Sequence, residues 1–229
     1  WKHRRWHYKN VRSGAETIIM ALVKYNDRSL RNLTTAPAAV TSSPGALVHI
    51  KTLTASSSST LSFVDGSDSV VLDNTYPIYK FEFINCHPSA DNSAFQVNFS
   101  VDGGSNYNVT KTTSYFFALH KEDGSNNNFA YSAGADLAQG TGNQQIAQNI
   151  GADNDQSMSG NLTLFNPSST TFVKHFIATT QLAELNENTV NVFSAGYGNT
   201  TSAINAVKFQ MDSGNIDSGQ IKLYGIKDA

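Results

Sequence analysis
From Ala46 to Ile226 apolar side chains recur at every second position, the period that puts one set on the buried face of a strand and the other in water. Phe95, Val97, Phe99 and Val101, interleaved with Gln96, Asn98, Ser100 and Asp102, predict a half-buried strand. It ends in Asp102-Gly-Gly-Ser-Asn106, whose glycines accept the positive φ of a tight turn. The same alternation recurs in Tyr79, Phe81 and Phe83, in Val207, Phe209 and Met211, and in Ile221 and Leu223. Further strands are predicted at 46–54, 59–64, 113–120, 128–132, 158–165, 171–180 and 189–197, about eleven in all. Breaks are expected at Asp65-Gly66, Asn85 to Pro88, Asp123 to Asn128, Asn166-Pro167 and Asp212 to Gly219. Residues 135–150 hold weak helix formers interrupted by Gly140 and Gly142, and predict a loop or irregular strand. A single sheet cannot cover its own apolar face, so short antiparallel strands with polar outer faces imply two stacked sheets. The expected fold is all-β, an antiparallel β-sandwich of jelly-roll type with an extended N-terminal arm.

Ahead of this domain the composition changes twice. Residues 1–19 carry both tryptophans and five basic residues, Lys2, Arg4, Arg5, Lys9 and Arg12, against Glu16 alone. Residues 20–31 look like a natural start at Met20, so 1–19 are expected to be a non-native or disordered basic segment; the rival reading is an aromatic, basic arm gripping nucleic acid or a neighbouring subunit. Residues 20–45 predict an extended arm, with Pro37 and Pro44 favouring polyproline or β geometry, and the folded domain is expected to occupy 46–229. Arg28, Leu30 and Arg31 are the arm's candidate docking residues, since little else there offers specific contact.

Charged residues are only 15% of the chain, so solubility rests on neutral polar groups. With the first 19 residues set aside, eleven basic residues face seventeen acidic ones, and a mildly acidic body without a basic face argues against nucleic acid as a partner. Cys86 is the only cysteine, which excludes an intrachain disulfide. No apolar run approaches the roughly 18 residues of a membrane helix, and no membrane partner is expected.

Candidate chemistry is sparse, and no enzyme activity is expected. Cys86-His87 are adjacent, so on a strand they point to opposite faces and make a poor nucleophile and base. His49, His87, His120 and His175 are scattered; His175, alternating with Val173 and Ile177, predicts a core or interface histidine. Asp65-Gly-Ser-Asp68 and Asp153-Asn-Asp155 place carboxylates close together in loops, but turn formation explains them without calcium. No motif pairs Glu82, Glu122, Glu184 and Glu187 across a cleft, and no phosphate loop is present, so neither cofactor nor metal is expected. Tyr107, Tyr115, Tyr131 and Tyr197 lie near predicted loops, where rings can stack on sugars; they are the candidate glycan contacts, with core packing as the alternative.

Three stretches carry a family resemblance: Val101-Asp-Gly-Gly-Ser-Asn-Tyr-Asn-Val-Thr-Lys-Thr-Thr113; Leu164 to Thr171 with Val173-Lys-His-Phe176; and Gly198 to Ala206 with Ser213 to Gly225. Together with Asn26 to Thr34, they resemble a family of uncharacterised, virion-associated β-sandwich proteins of marine bacteriophages, over roughly residues 46–226. The resemblance implies a structural component of the virion, namely a capsid decoration, head fibre or tail-associated protein, and brings no catalytic residues with it. Its partners would be other virion proteins and further copies of itself, a trimer among the candidates. The alternative function is a glycan- or receptor-binding adhesion domain of a phage fibre, with a host surface glycan as partner.

Overall fold
The computed structural model describes residues 46–227. Arg28, Leu30, Arg31 and the boundaries expected at residues 19 and 45 lie outside them. The described residues form twelve strands and no helix. In chain order they are β1 (Leu47–Thr54), β2 (Leu61–Val64), β3 (Ile78–Pro88), β4 (Ser93–Ser100), β5 (Lys111–Lys121) and β6 (Asn127–Tyr131). There follow β7 (Gln144–Ile150), β8 (Met158–Phe165), β9 (Lys174–Glu184), β10 (Asn188–Gly198), β11 (Ala206–Met211) and β12 (Ile216–Ile226).

Every pairing is antiparallel. One ladder runs β1-β12-β3-β8-β9-β10-β5-β6, a second runs β7-β4-β11-β2, and the pair Ile150–Glu184 joins them into a nearly closed, barrel-like sheet. The inward side chains of both ladders share one core. Phe81 and Phe83 of β3 meet Phe63 of β2, Phe95 of β4 and Phe209 of β11. Edge-to-face contact dominates, the geometry that ring quadrupoles favour.

Several expectations change on contact with the fold. The stretch Asn85 to Pro88 is not a break: β3 runs through it with a bulge between Phe83 and Cys86, where Asn85 takes φ 47°. The facing strand β12 is irregular at Gly219, whose φ is 114° and where a Cβ would lie 2.5 Å from the Asn85 carbonyl oxygen, so only glycine fits. Within residues 135–150, expected as loop or irregular strand, residues 144–150 form β7, a strand whose register against β4 shifts. The alternate side chains of β4 are largely withdrawn from water: Asn98 is 2% exposed, Ser100 is buried and Gln96 is half-buried. His175 is exposed, because Lys174, Phe176 and Ala178 are the inward residues of β9.

Candidate functional site: a charge-free sheet face and a buried lysine clip
The outer face of β8, β9, β10, β5 and β6 is built by registry. Adjacent strands align Thr163, Ile177, Ala195 and Ser114 in one row, and Asn161, Thr179, Phe193, Phe116 and Tyr131 in the next. A third row holds Ser159, Gln181, Asn191, Ala118 and Phe129. None of these side chains is a lysine, arginine, aspartate or glutamate. By contrast, the outward positions of β3 and β12 carry Lys80, Glu82 and Lys222.

Large apolar groups on this face stand in water: Ile177 is 51%, Phe193 40%, Phe129 71% and Tyr131 56% exposed. Phe193 and Phe116 are stacked with ring centres 5.1 Å apart, and Phe129 meets Phe116 edge-on at 5.8 Å, giving a continuous aromatic ridge. Beside it the chain turns small. Ala195, Gly196 and Ser114 floor a shallow hollow of about 490 Å³ walled by Phe165, His175, Ile177 and Tyr197. Tyr131 closes the ridge at its rim, donating its hydroxyl to the Asp136 carboxylate, a bond that raises the phenol's pKa.

Of the four candidate tyrosines, the fold brings Tyr131 and Tyr197 to this face and takes the others away. Tyr115 is 1% exposed, on the inward side of β5, and cannot touch a sugar. Tyr107 is half-buried in the loop after β4, with the Lys208 ammonium 5.0 Å from its ring centre, so it serves the loop. Phe129, Phe193 and Ile177, exposed on this face, and Phe116, which stacks on Phe193, are absent from the expected contacts.

The chemical candidates disperse. Cys86 is buried, and desolvation pushes its thiol up to about 12, leaving it protonated and unreactive at neutral pH. His87 bonds the Gln156 carbonyl through Nδ1 at 2.7 Å rather than the thiol. Asp65 accepts from the Leu72 amide at 2.8 Å, and Asp68 pairs with Lys51. Among the described residues no three His, Cys, Asp or Glu side chains gather closely enough to share a metal ion.

Two lysines whose pKa burial lowers lie inside. Lys111 and Lys174, on β5 and β9, both stand opposite Gly198 of β10, and both are buried without an ion-pair partner among the described residues. Lys111 Nζ donates to Asn98 Oδ1 at 2.6 Å and to the Val109 carbonyl at 2.7 Å. Asn98 Oδ1 also accepts from the Phe99 amide at 2.9 Å, while its Nδ2 donates to the Tyr107 and Thr141 carbonyls and to Asn143 Oδ1. One ammonium and one amide thereby tie the loop after β4 and the approach to β7 onto β5. Lys174 Nζ does the same for the Phe172 and Thr200 carbonyls.

Burial pushes Lys111 down from 10.5 to about 8. The unfolded chain therefore holds more protons than the folded one between those values, and this lysine makes stability rise as pH climbs from about 8. Cys86 opposes it: its thiol moves from 9.0 to about 12, so the unfolded chain ionises first and stability falls from pH 9 upward. Burial raises Tyr79 and Tyr115 as well, steepening the fall above pH 10. A urea midpoint measured across pH 7 to 11 is expected to pass through a maximum near pH 9. A midpoint falling steadily from pH 8 would contradict the buried lysine's role, and Lys111→Met should diminish the rise, to which the lowered Lys174 also contributes.

A scan against protein-family models finds no match to the chain, and searches of curated proteins and of solved structures find no significant similarity.

Proposed function
We propose that this chain is a non-catalytic structural component of a bacteriophage particle, as a capsid decoration, head fibre or tail-associated protein, and that the charge-free face is where it meets neighbouring subunits. The observation that carries the reading is the exposed aromatic ridge: a solvated sheet face normally carries charge, and a large uncharged apolar patch marks a contact surface. The stretches at 101–113, 164–171, 173–176, 198–206 and 213–225, which resemble marine phage proteins, support the virion as its location. The finer fold reading is a jelly-roll-like sandwich, supported by ring contacts between the two ladders. The arm residues Arg28, Leu30 and Arg31 would supply a second attachment to other virion proteins.

An adhesive alternative draws on the same face. Tyr197 lines the hollow together with the His175 ring and with Thr112 and Ser114, the pairing of stacking ring and hydrogen-bonding group that a host surface glycan uses. Mass spectrometry of purified particles encoding the chain is the test: the proposal expects its peptides in stoichiometric amounts with the other structural proteins, and their absence would sink it. Retention of the isolated chain on a glycan array, lost in Tyr197→Ala, would favour the alternative.

A further inference from the structure
We infer that the occupant of the charge-free face is a second copy of this chain, docked ridge into hollow; the inference rests on reading that face as a contact surface. Shape comes first. Phe193 of the ridge and Ala195 of the hollow are two residues apart on β10, and Phe116 and Ser114 are two apart on β5, so bump and depression lie side by side about 7 Å apart along the same strands. A two-fold axis in the plane of contact, running across the strands between them, seats each copy's ridge in the other's hollow. A surface with that internal complementarity is what an isologous contact requires.

Charge is the second ground. An isologous face meets itself, so any fixed charge near the axis faces its own like. Here the three aligned rows hold none, while charges collect beyond them, as at Lys121, the last residue of β5, at Asp123 past it and at Asp136 beside Tyr131. Size is the third. The five strands present about twenty outward side chains, comparable with the roughly 20–30 residues a side of a standard interface. The uncharged polar members, Thr179, Asn161 and Gln181 among them, supply hydrogen bonds around an aromatic centre, the arrangement of a stable contact.

The test is sedimentation velocity on the full chain and three variants. Wild type is expected to be dimeric at micromolar concentration. Phe193→Asp plants two like charges at the contact and is expected to weaken the dimer roughly a hundred-fold or more. Ala195→Arg fills the hollow while leaving every ring in place, and is expected to do the same. Lys222→Asp, on the charged part of the sheet, should leave the dimer intact. Both face substitutions project outward, and unchanged thermal melts would show that they fold. A monomeric wild type, or a dimer indifferent to both face variants, overturns the inference. Higher assemblies lost in both variants keep homotypic docking but overturn the two-fold. A monomer whose Phe193 is needed to bind a neutral polysaccharide assigns the face to a glycan instead. None of these outcomes depends on finding the chain in particles, so homotypic docking and virion location fail separately.

Discussion
Replacing Asn98 with alanine is expected to cost about 3–5 kcal/mol of stability, because it strips the acceptor from a buried ammonium that has no carboxylate to fall back on. Lys111 would keep only the Val109 carbonyl, and the Tyr107 and Thr141 carbonyls would lose the amide that reaches them. The partner substitution behaves differently. Lys111→Met removes the charge together with its desolvation cost and fills a similar volume, so the expected loss is below about 1.5 kcal/mol. In the double variant the methionine should recover much of what alanine lost, since the stranded charge is gone. Urea unfolding of the four proteins at pH 7 measures the coupling. At pH 9 the single Asn98→Ala penalty should shrink, because a less well solvated ammonium gives up its proton sooner. A loss under about 1 kcal/mol at pH 7, or a double variant no better than Asn98→Ala, would mean that the clip is incidental.

That clip was invisible in the alternation pattern. Asn98 occupies a polar position of β4, and period two assigned it to water; the groups that meet it are the backbone carbonyls of Tyr107 and Thr141 and the side chain of Asn143, none of them fixed by strand periodicity. Lys174 failed for a related reason. Val173, Phe176, Ile177 and Ala178 put apolar groups on both phases of β9, so periodicity could not choose the inner face, and the fold places the lysine inside and His175 outside. Where one phase is wholly apolar and the other carries charge, as in Tyr79-Lys80-Phe81-Glu82-Phe83 or Val207-Lys208-Phe209-Gln210-Met211, the expected face is the observed one. β7 reads only as loop or irregular strand because its buried residues, Gln144, Ile146, Ala147 and Ile150, break step where the β4 register shifts.

The same logic explains which part of the contact face was legible. Tyr131 and Tyr197 were singled out as rings near loops, and both lie on it. Phe116 was hidden between Tyr115 and Phe117, where a run of three aromatics gives no hint of side, and Phe193 lay among small and apolar neighbours. That these two rings stack is decided by the pairing of β10 with β5, strands about 75 residues apart in the chain, through one particular register. Absence of charge between the ends of each strand was readable one strand at a time. Its meaning as a face required knowing which strands are neighbours.

Phe209→Ala is expected to lose about 3–5 kcal/mol and to do so without touching association. The ring is fully buried at the meeting point of the two ladders: it stacks on Phe95 at 5.8 Å and takes edge-to-face contacts from Phe63, Phe81 and Phe83 at 6.4, 5.3 and 5.2 Å. Four neighbours on β2, β3 and β4 are each held by the packing of the rest, so the hole left by the ring cannot be filled by one of them without unstacking another. Phe209→Leu keeps part of the volume and should cost distinctly less. Because the ring belongs to β11 and its edge-to-face partners Phe81 and Phe83 belong to β3, its loss weakens contact between the ladders more than pairing within either, and near-ultraviolet dichroism from the phenylalanines should fall before the strand signal does. Phe193→Ala, the solvent-facing counterpart, should move the urea midpoint little in dilute solution while disturbing assembly. If the two alanine variants proved equally destabilising, the division between a ring that builds the core and a ring that serves the surface would be wrong.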